Sequence, residues 1–141
     1  MKTSLKHIKE LRDKAKEWGL DDQGLLDRYT DRQLAEIYNG IGPESFPAWI
    51  RNALDSMHPT LEPVALIHDL EWSQPDKTDG HWKASNQRFR ANGIKAAKAR
   101  YPWWNIARYK VMRTARLFAE LCGTGIAYKA YLAGGVAKDV E

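Results

Sequence analysis

A histidine and an aspartate stand side by side in the middle of an otherwise apolar run, Glu62-Pro63-Val64-Ala65-Leu66-Ile67-His68-Asp69-Leu70-Glu71-Trp72. Histidine exchanges a proton near neutral pH, and a carboxylate offers oxygens to a donor or a hard cation, so these are residue types that acid–base or metal chemistry uses. On a helix the two side chains point about 100° apart and can act in different directions. Val64, Leu66, Ile67 and Leu70 bury most of that helix, which puts His68 and Asp69 inside a core or at its rim, where ionisable groups are costly. A hydrogen-bonded core histidine beside a capping or salt-bridged aspartate answers that cost equally well, and two residues alone do not separate the readings.

The elements that would hold the pair are helical. Pro63 suits a first helical turn, and Glu62 before it favours the positive helix start, which predicts a helix over Pro63–Trp72. Upstream, Leu5, Ile8, Leu11, Ala15 and Trp18 recur at spacings of three and four with Gly19 as a stop, which predicts a helix over Ser4–Trp18. A short helix is expected within Asp21–Tyr29. Thr30-Asp31-Arg32-Gln33 has the form of a capping box opening a helix to Asn39, and a further helix is expected over Ser45–Met57 with Trp49 on its buried side. After Trp72 the polar, proline- and glycine-broken segment Ser73–Gly80 reads as an exposed loop between antiparallel helices. The second of these, about Gly80–Asn92, carries Trp82, Ser85, Asn86 and Phe89 on one stripe. A helix over Pro102–Leu121, with Ile106, Tyr109, Ala115 and Phe118 as packing positions, and one over Gly125–Ala133 complete the chain. Tyr101-Pro102-Trp103-Trp104, beside Arg100 and Arg108, is a cluster that could stack on bases or sit at a membrane interface, and more often such a cluster is a helix start packed on its neighbour. No stretch alternates long enough for a strand, so the fold class is all-α: one bundle of about six helices, with N-terminal helices in 1–37, a core in 38–92 and C-terminal helices in 93–141.

The 141 residues, 43% of them hydrophobic, suit one domain with a real core. A single cysteine, Cys122, excludes an internal disulfide framework and is expected to be a small core residue. There is no apolar run of membrane-spanning length and no signal-peptide core at the N-terminus, so cytoplasmic synthesis is expected. A net charge of +4 permits an anionic partner. Most of the excess lies between Lys83 and Arg116, where Arg88, Arg90, Lys95, Arg100, Arg108 and Arg113 face almost no acid. There is no Gly-Lys-Ser/Thr phosphate loop and no Gly-x-Ser-x-Gly elbow.

Three features gain weight together: Tyr38-Asn39-Gly40-Ile41-Gly42, the helix with His68-Asp69, and Ser85-Asn86-Gln87-Arg88-Phe89. Their combination resembles the phospholipase A2 superfamily, with its Tyr-x-Gly-x-Gly loop, its Asp-x-x-Ala/Cys-x-x-His-Asp-x-x-Tyr helix and its antiparallel Ala-Asp-x-x-Phe helix. The resemblance spans Tyr38 to Phe89 and is nearest to the disulfide-free branch found among phage and virus proteins. It implies calcium-dependent hydrolysis of phospholipid acyl esters, with His68 as general base and Asn86 orienting it. Asp69 and the backbone carbonyls of Tyr38, Gly40 and Gly42 would hold calcium, and a phospholipid surface and the virion become the expected surroundings. The chain departs from the pattern at Asn86, where the family has an acid, at Trp72, where it has tyrosine, at Glu62, where it has aspartate, and in a longer segment between Gly42 and Glu62. An amide oxygen at 86 can still accept a bond from His68, and Asn86→Asp is expected to be tolerated. The alternative function is that of a non-catalytic helical accessory protein binding nucleic acid or another protein through its basic C-terminal half.

Overall fold

The computed structural model describes residues 4–38 and 59–133. The expected helix over Ser45–Met57, Trp49, and the glycines Gly40 and Gly42 lie outside the described residues. Within them the chain is all-α, with six helices and no strand: α1 (Leu5–Glu17), α2 (Asp31–Ile37), α3 (Glu62–Trp72), α4 (Asp79–Arg100), α5 (Ile106–Cys122) and α6 (Gly125–Ala133).

Local chemistry sets most of the boundaries. Ser4 caps α1 by accepting from the His7 N–H at 3.2 Å. Gly19, at φ 64°, ends it in the left-handed conformation. Thr30 and Gln33 form both halves of the capping box on α2. The helix expected in Asp21–Tyr29 is reduced to one 3₁₀ turn at Leu26–Arg28. The aspartates are the reason: Asp21 Oδ1 accepts from the Gln23 N–H and Asp22 Oδ1 from the Gly24 N–H, in place of helical partners. Gln23 and Gly24 both have positive φ as a result.

α4 runs eight residues past its expected end at Asn92, reaching Arg100. Asn92, Gly93, Ala96 and Ala97 are all buried there, so tertiary packing on α5 carries the helix through an Asn-Gly pair that looks like a stop. α5 begins at Ile106 rather than Pro102, because Asn105 supplies the cap by accepting from the Ala107 N–H at 2.9 Å. Pro102 lies in the preceding turn, its carbonyl accepting from the Asn105 N–H at 3.0 Å. Ile106 and Tyr109 point to solvent, against expectation, and so do Trp103 and Trp104.

α3 is the axis of the molecule. It packs against α1, α2 and α4, and is buried nearly all round, with Val64, Leu66, Ile67 and Leu70 at 1% exposure or less. α4 runs antiparallel to it and packs its other side on α5. Leu66, Ile67, Phe89, Phe118 and Cys122 are in the core as expected. A clasp ties the N-terminal part to α4: the Asp21 N–H donates to Asn92 Oδ1 at 2.8 Å, and Asn92 Nδ2 donates back to the Asp21 carbonyl at 2.9 Å. No helix among the described residues is long and apolar enough to cross a membrane.

Candidate functional site

The antiparallel α3 and α4 bring side chains near the connection face to face, each α4 partner lying a few residues farther from it than its α3 partner. His68 Nε2 lies 3.0 Å from Asn86 Oδ1. One turn nearer the loop, Trp72 Nε1 donates to Ser85 Oγ at 3.0 Å, so the indole N–H is satisfied by a hydroxyl on the facing helix. Arg88 makes an ion pair with Glu71 on the same interface.

The orientation of the Asn86 amide follows from its second bond. Its Nδ2 donates at 3.0 Å to the Cys122 carbonyl at the C-terminal end of α5, so Oδ1 is the atom turned to His68. Trp82 Nε1 donates to the same carbonyl at 3.0 Å. With Oδ1 as acceptor, His68 carries its proton on Nε2, and Nδ1 is the nitrogen with the lone pair; the hydrogen-bond network makes that assignment.

The surroundings of His68 are aromatic. Its ring centroid lies 4.7 Å from that of Trp72, 5.3 Å from Phe89 and 5.6 Å from Phe118, and the residue is 4% exposed. Burial pushes the imidazole pKa down to about 4, with the Asn86 bond opposing the shift and His81 adding to it. His68 is therefore neutral at pH 7, which leaves its lone pair available and makes it a weak proton acceptor.

Asp69 is half-buried and faces a different sector. Its charge reaches Tyr38 and Cys122. Burial is the main cause that raises the Tyr38 hydroxyl above its ordinary pKa, with Glu62 and Asp69 adding to it. Burial likewise raises the Cys122 thiol, again helped by Asp69. The structure thus brings His68 and Asn86 together and sets Asp69 within electrostatic reach of Tyr38. Of the four candidate calcium ligands, Asp69 and Tyr38 are described, and their carboxylate and carbonyl oxygens are the hard donors calcium takes. Among the described residues no cluster of three or more His, Cys, Asp or Glu side chains has the arrangement of a metal site. The His68 site is also distinct from the cleft of about 410 Å³ between α1 and α3, which His7, Lys14, Trp18, Glu62 and Arg100 help to line.

Glu71 escaped the sequence reading. It is 1% exposed, and its Oε2 has no hydrogen-bond partner among the described residues, while Oε1 meets Arg88. Burial raises its pKa to about 7 against the opposing Arg88 charge, and Asp21 and Asp22 reinforce the rise. The signal was a charged residue three positions after His68 on the same buried helix; its cationic partner lies on another helix, 17 residues on. Comparison with protein families, with curated proteins and with solved structures finds no match to this chain.

Proposed function

We propose that this chain is a phospholipase A2-like protein of the disulfide-free phage and virus type, acting as a calcium-dependent acyl-ester hydrolase on phospholipid. The observation that carries the reading is the 3.0 Å approach of His68 Nε2 to Asn86 Oδ1 across an antiparallel helix pair. An imidazole anchored through one nitrogen holds the other, Nδ1, in a fixed direction; the ring is 4% exposed and walled by Trp72, Phe89 and Phe118, so this reading requires that enclosure to open to water and substrate.

In this reading a water molecule attacks the acyl carbonyl carbon and gives its proton to His68 Nδ1. The imidazolium then returns that proton to the departing alcohol oxygen, leaving a fatty acid and a lysophospholipid. Asn86 holds the ring throughout and accepts from the Nε2 proton, without the negative charge that would stabilise an imidazolium. With a pKa near 4, His68 gains little driving force for the first transfer, so slow turnover is the expected signature. Asp69 and the carbonyls of Tyr38, Gly40 and Gly42 are the oxygens that would hold calcium. When bound, calcium supplies positive charge where the oxyanion develops.

The test is fatty-acid release from phospholipid vesicles with and without millimolar calcium, for the parent chain and for His68→Gln. Calcium-dependent release that His68→Gln abolishes supports the reading. Absence of release from the parent, or release that His68→Gln leaves intact, sinks it. A calcium-induced rise in melting temperature that Asp69→Asn removes checks the cation separately.

A further inference from the structure

We propose that the outward face of α5, together with the turn that precedes it, docks this chain on an anionic lipid bilayer. The inference stands apart from the hydrolase reading, since it needs neither His68 nor calcium.

The apolar part of the surface is large and projects into solvent. Trp103 is 73% exposed, Trp104 70% and Ile106 68%, and Tyr109 and Leu117 are about half exposed. Contiguous exposed tryptophan and aliphatic residues mark a surface that meets something less polar than water. On α5, at about 100° per residue, Ile106, Tyr109, Lys110, Arg113 and Leu117 fall within roughly 100° of arc. Val111, Ala115, Phe118 and Cys122 occupy the opposite side and are buried. Among the described residues α5 buries its inward face and exposes Ile106, Tyr109 and Leu117, with Lys110 and Arg113 between them, on the other.

The turn that presents the tryptophans is hydrogen-bonded. The Asn105 N–H donates to the Pro102 carbonyl at 3.0 Å, and the Tyr109 hydroxyl donates to the Trp103 carbonyl at 2.6 Å. These bonds order the backbone that carries Trp103 and Trp104 at the head of the α5 face, which lowers the backbone entropy lost on docking.

Charge selects the partner. From Lys83 to Ala119 the sequence holds ten lysines and arginines and no aspartate or glutamate. Lys110 and Arg113 are exposed among the apolar side chains, and Glu120 is the first acid on this face, at its far end. A second copy of so cationic a face would be repelled. Single-stranded nucleic acid would satisfy the charges and stack on the indoles, yet it offers nothing to Ile106 and Leu117. An anionic bilayer satisfies every class present: indole and phenol rings at headgroup depth, aliphatic side chains against acyl chains, and lysine and arginine on the lipid phosphates.

The experiment is flotation of the full chain with vesicles of phosphatidylcholine and phosphatidylglycerol, beside vesicles of phosphatidylcholine alone. The chain is expected to float with the anionic vesicles and to release as salt rises. Trp103→Ala/Trp104→Ala/Ile106→Ala, which removes only exposed side chains and keeps the fold, should weaken partitioning about ten-fold or more. Lys110→Glu/Arg113→Glu should abolish the preference for anionic lipid, and His68→Gln should float like the parent. A parent chain that stays at the bottom of the gradient overturns the proposal, as does a triple variant that floats equally well. Tight binding of a single-stranded oligonucleotide without flotation assigns the face to nucleic acid instead and equally overturns it.

Discussion

Gly93 on α4 faces Ala115 on α5 so closely that a Cβ added to the glycine would lie 2.4 Å from the Ala115 Cβ. The helix pair crosses at this point because one partner has no side chain. Gly93→Ala gains about 1 kcal/mol of helix propensity, but a contact that short forces the helices apart, and overpacking of this kind costs about 1–3 kcal/mol. We expect a net loss in thermal denaturation. Adding Ala115→Gly to Gly93→Ala should return part of it.

Asn86 uses both ends of its amide, one on His68 and one on the Cys122 carbonyl. Sequence reasoning takes Asn86→Asp as a benign restoration of the family's acid. The second bond changes that outcome: an aspartate would set a carboxylate oxygen against a carbonyl oxygen, in a site only 7% exposed. Asn86→Asp is expected to lower stability by about 1–3 kcal/mol. It should also raise the His68 pKa above its value of about 4, because a negative charge then faces the imidazole. Denaturant midpoints read the first effect and an NMR titration of the ring protons reads the second. If the pKa stays put, the 86 side chain does not face the ring.

Two buried groups on α3 give stability opposite pH slopes. His68 drops from its ordinary 6.5 to about 4, so its contribution is present above pH 6.5 and is lost as pH falls towards 4. Glu71 rises from its ordinary 4.5 to about 7, so the folded state holds the proton more tightly; that contribution is present below pH 4.5 and is lost as pH climbs to 7. Between pH 4.5 and 6.5 the two oppose each other. Glu71→Gln should leave the His68 slope exposed, giving stability that rises across this window relative to the parent by about 1–3 kcal/mol. His68→Gln should tilt it the other way. Urea unfolding of parent and variants at several pH values checks both, since the difference between them cancels the remaining carboxylates.

What the sequence made legible was local or set by helical rise. The Thr30 capping box, the Gly19 stop and the burial of Phe89 follow from side-chain chemistry within one or two turns. The meeting of His68 with Asn86 follows from two antiparallel helices joined by one short loop, although the register is offset: Trp72, expected nearer Trp82, bonds Ser85. What stayed hidden depended on partners far along the chain. Asn92-Gly93 reads as a helix end until α5 is present to press on it. A periodic pattern also does not say which apolar face finds a neighbour, so Ile106 and Tyr109 read as packed and are exposed, while for Trp103 and Trp104 the exposed reading holds over the packed one. Glu71 drew no reading from the sequence, because its burial depends on the neighbours that enclose nearly all of α3. Of the candidate site, the imidazole and its anchor were legible, and the loop that would complete it lies outside the described residues.

The clasp between Asn92 and Asp21 has a chemical sequel. Asn92 is followed by Gly93, and in a loose chain the unhindered glycine amide nitrogen attacks the preceding carboxamide carbon, expels ammonia and closes a succinimide that opens to aspartate or isoaspartate. In the folded protein the amide is held by two hydrogen bonds and the glycine nitrogen is committed to a helix, so the ring does not close. Each excursion to the unfolded state lifts that protection, and an aspartate returned to position 92 has no N–H to give to the Asp21 carbonyl. Time spent unfolded is therefore recorded as permanent covalent damage at the residue that makes the clasp. Mass spectrometry of heat-cycled protein should find a gain of about 1 Da at Asn92 that grows with hours above the melting temperature and is negligible below it.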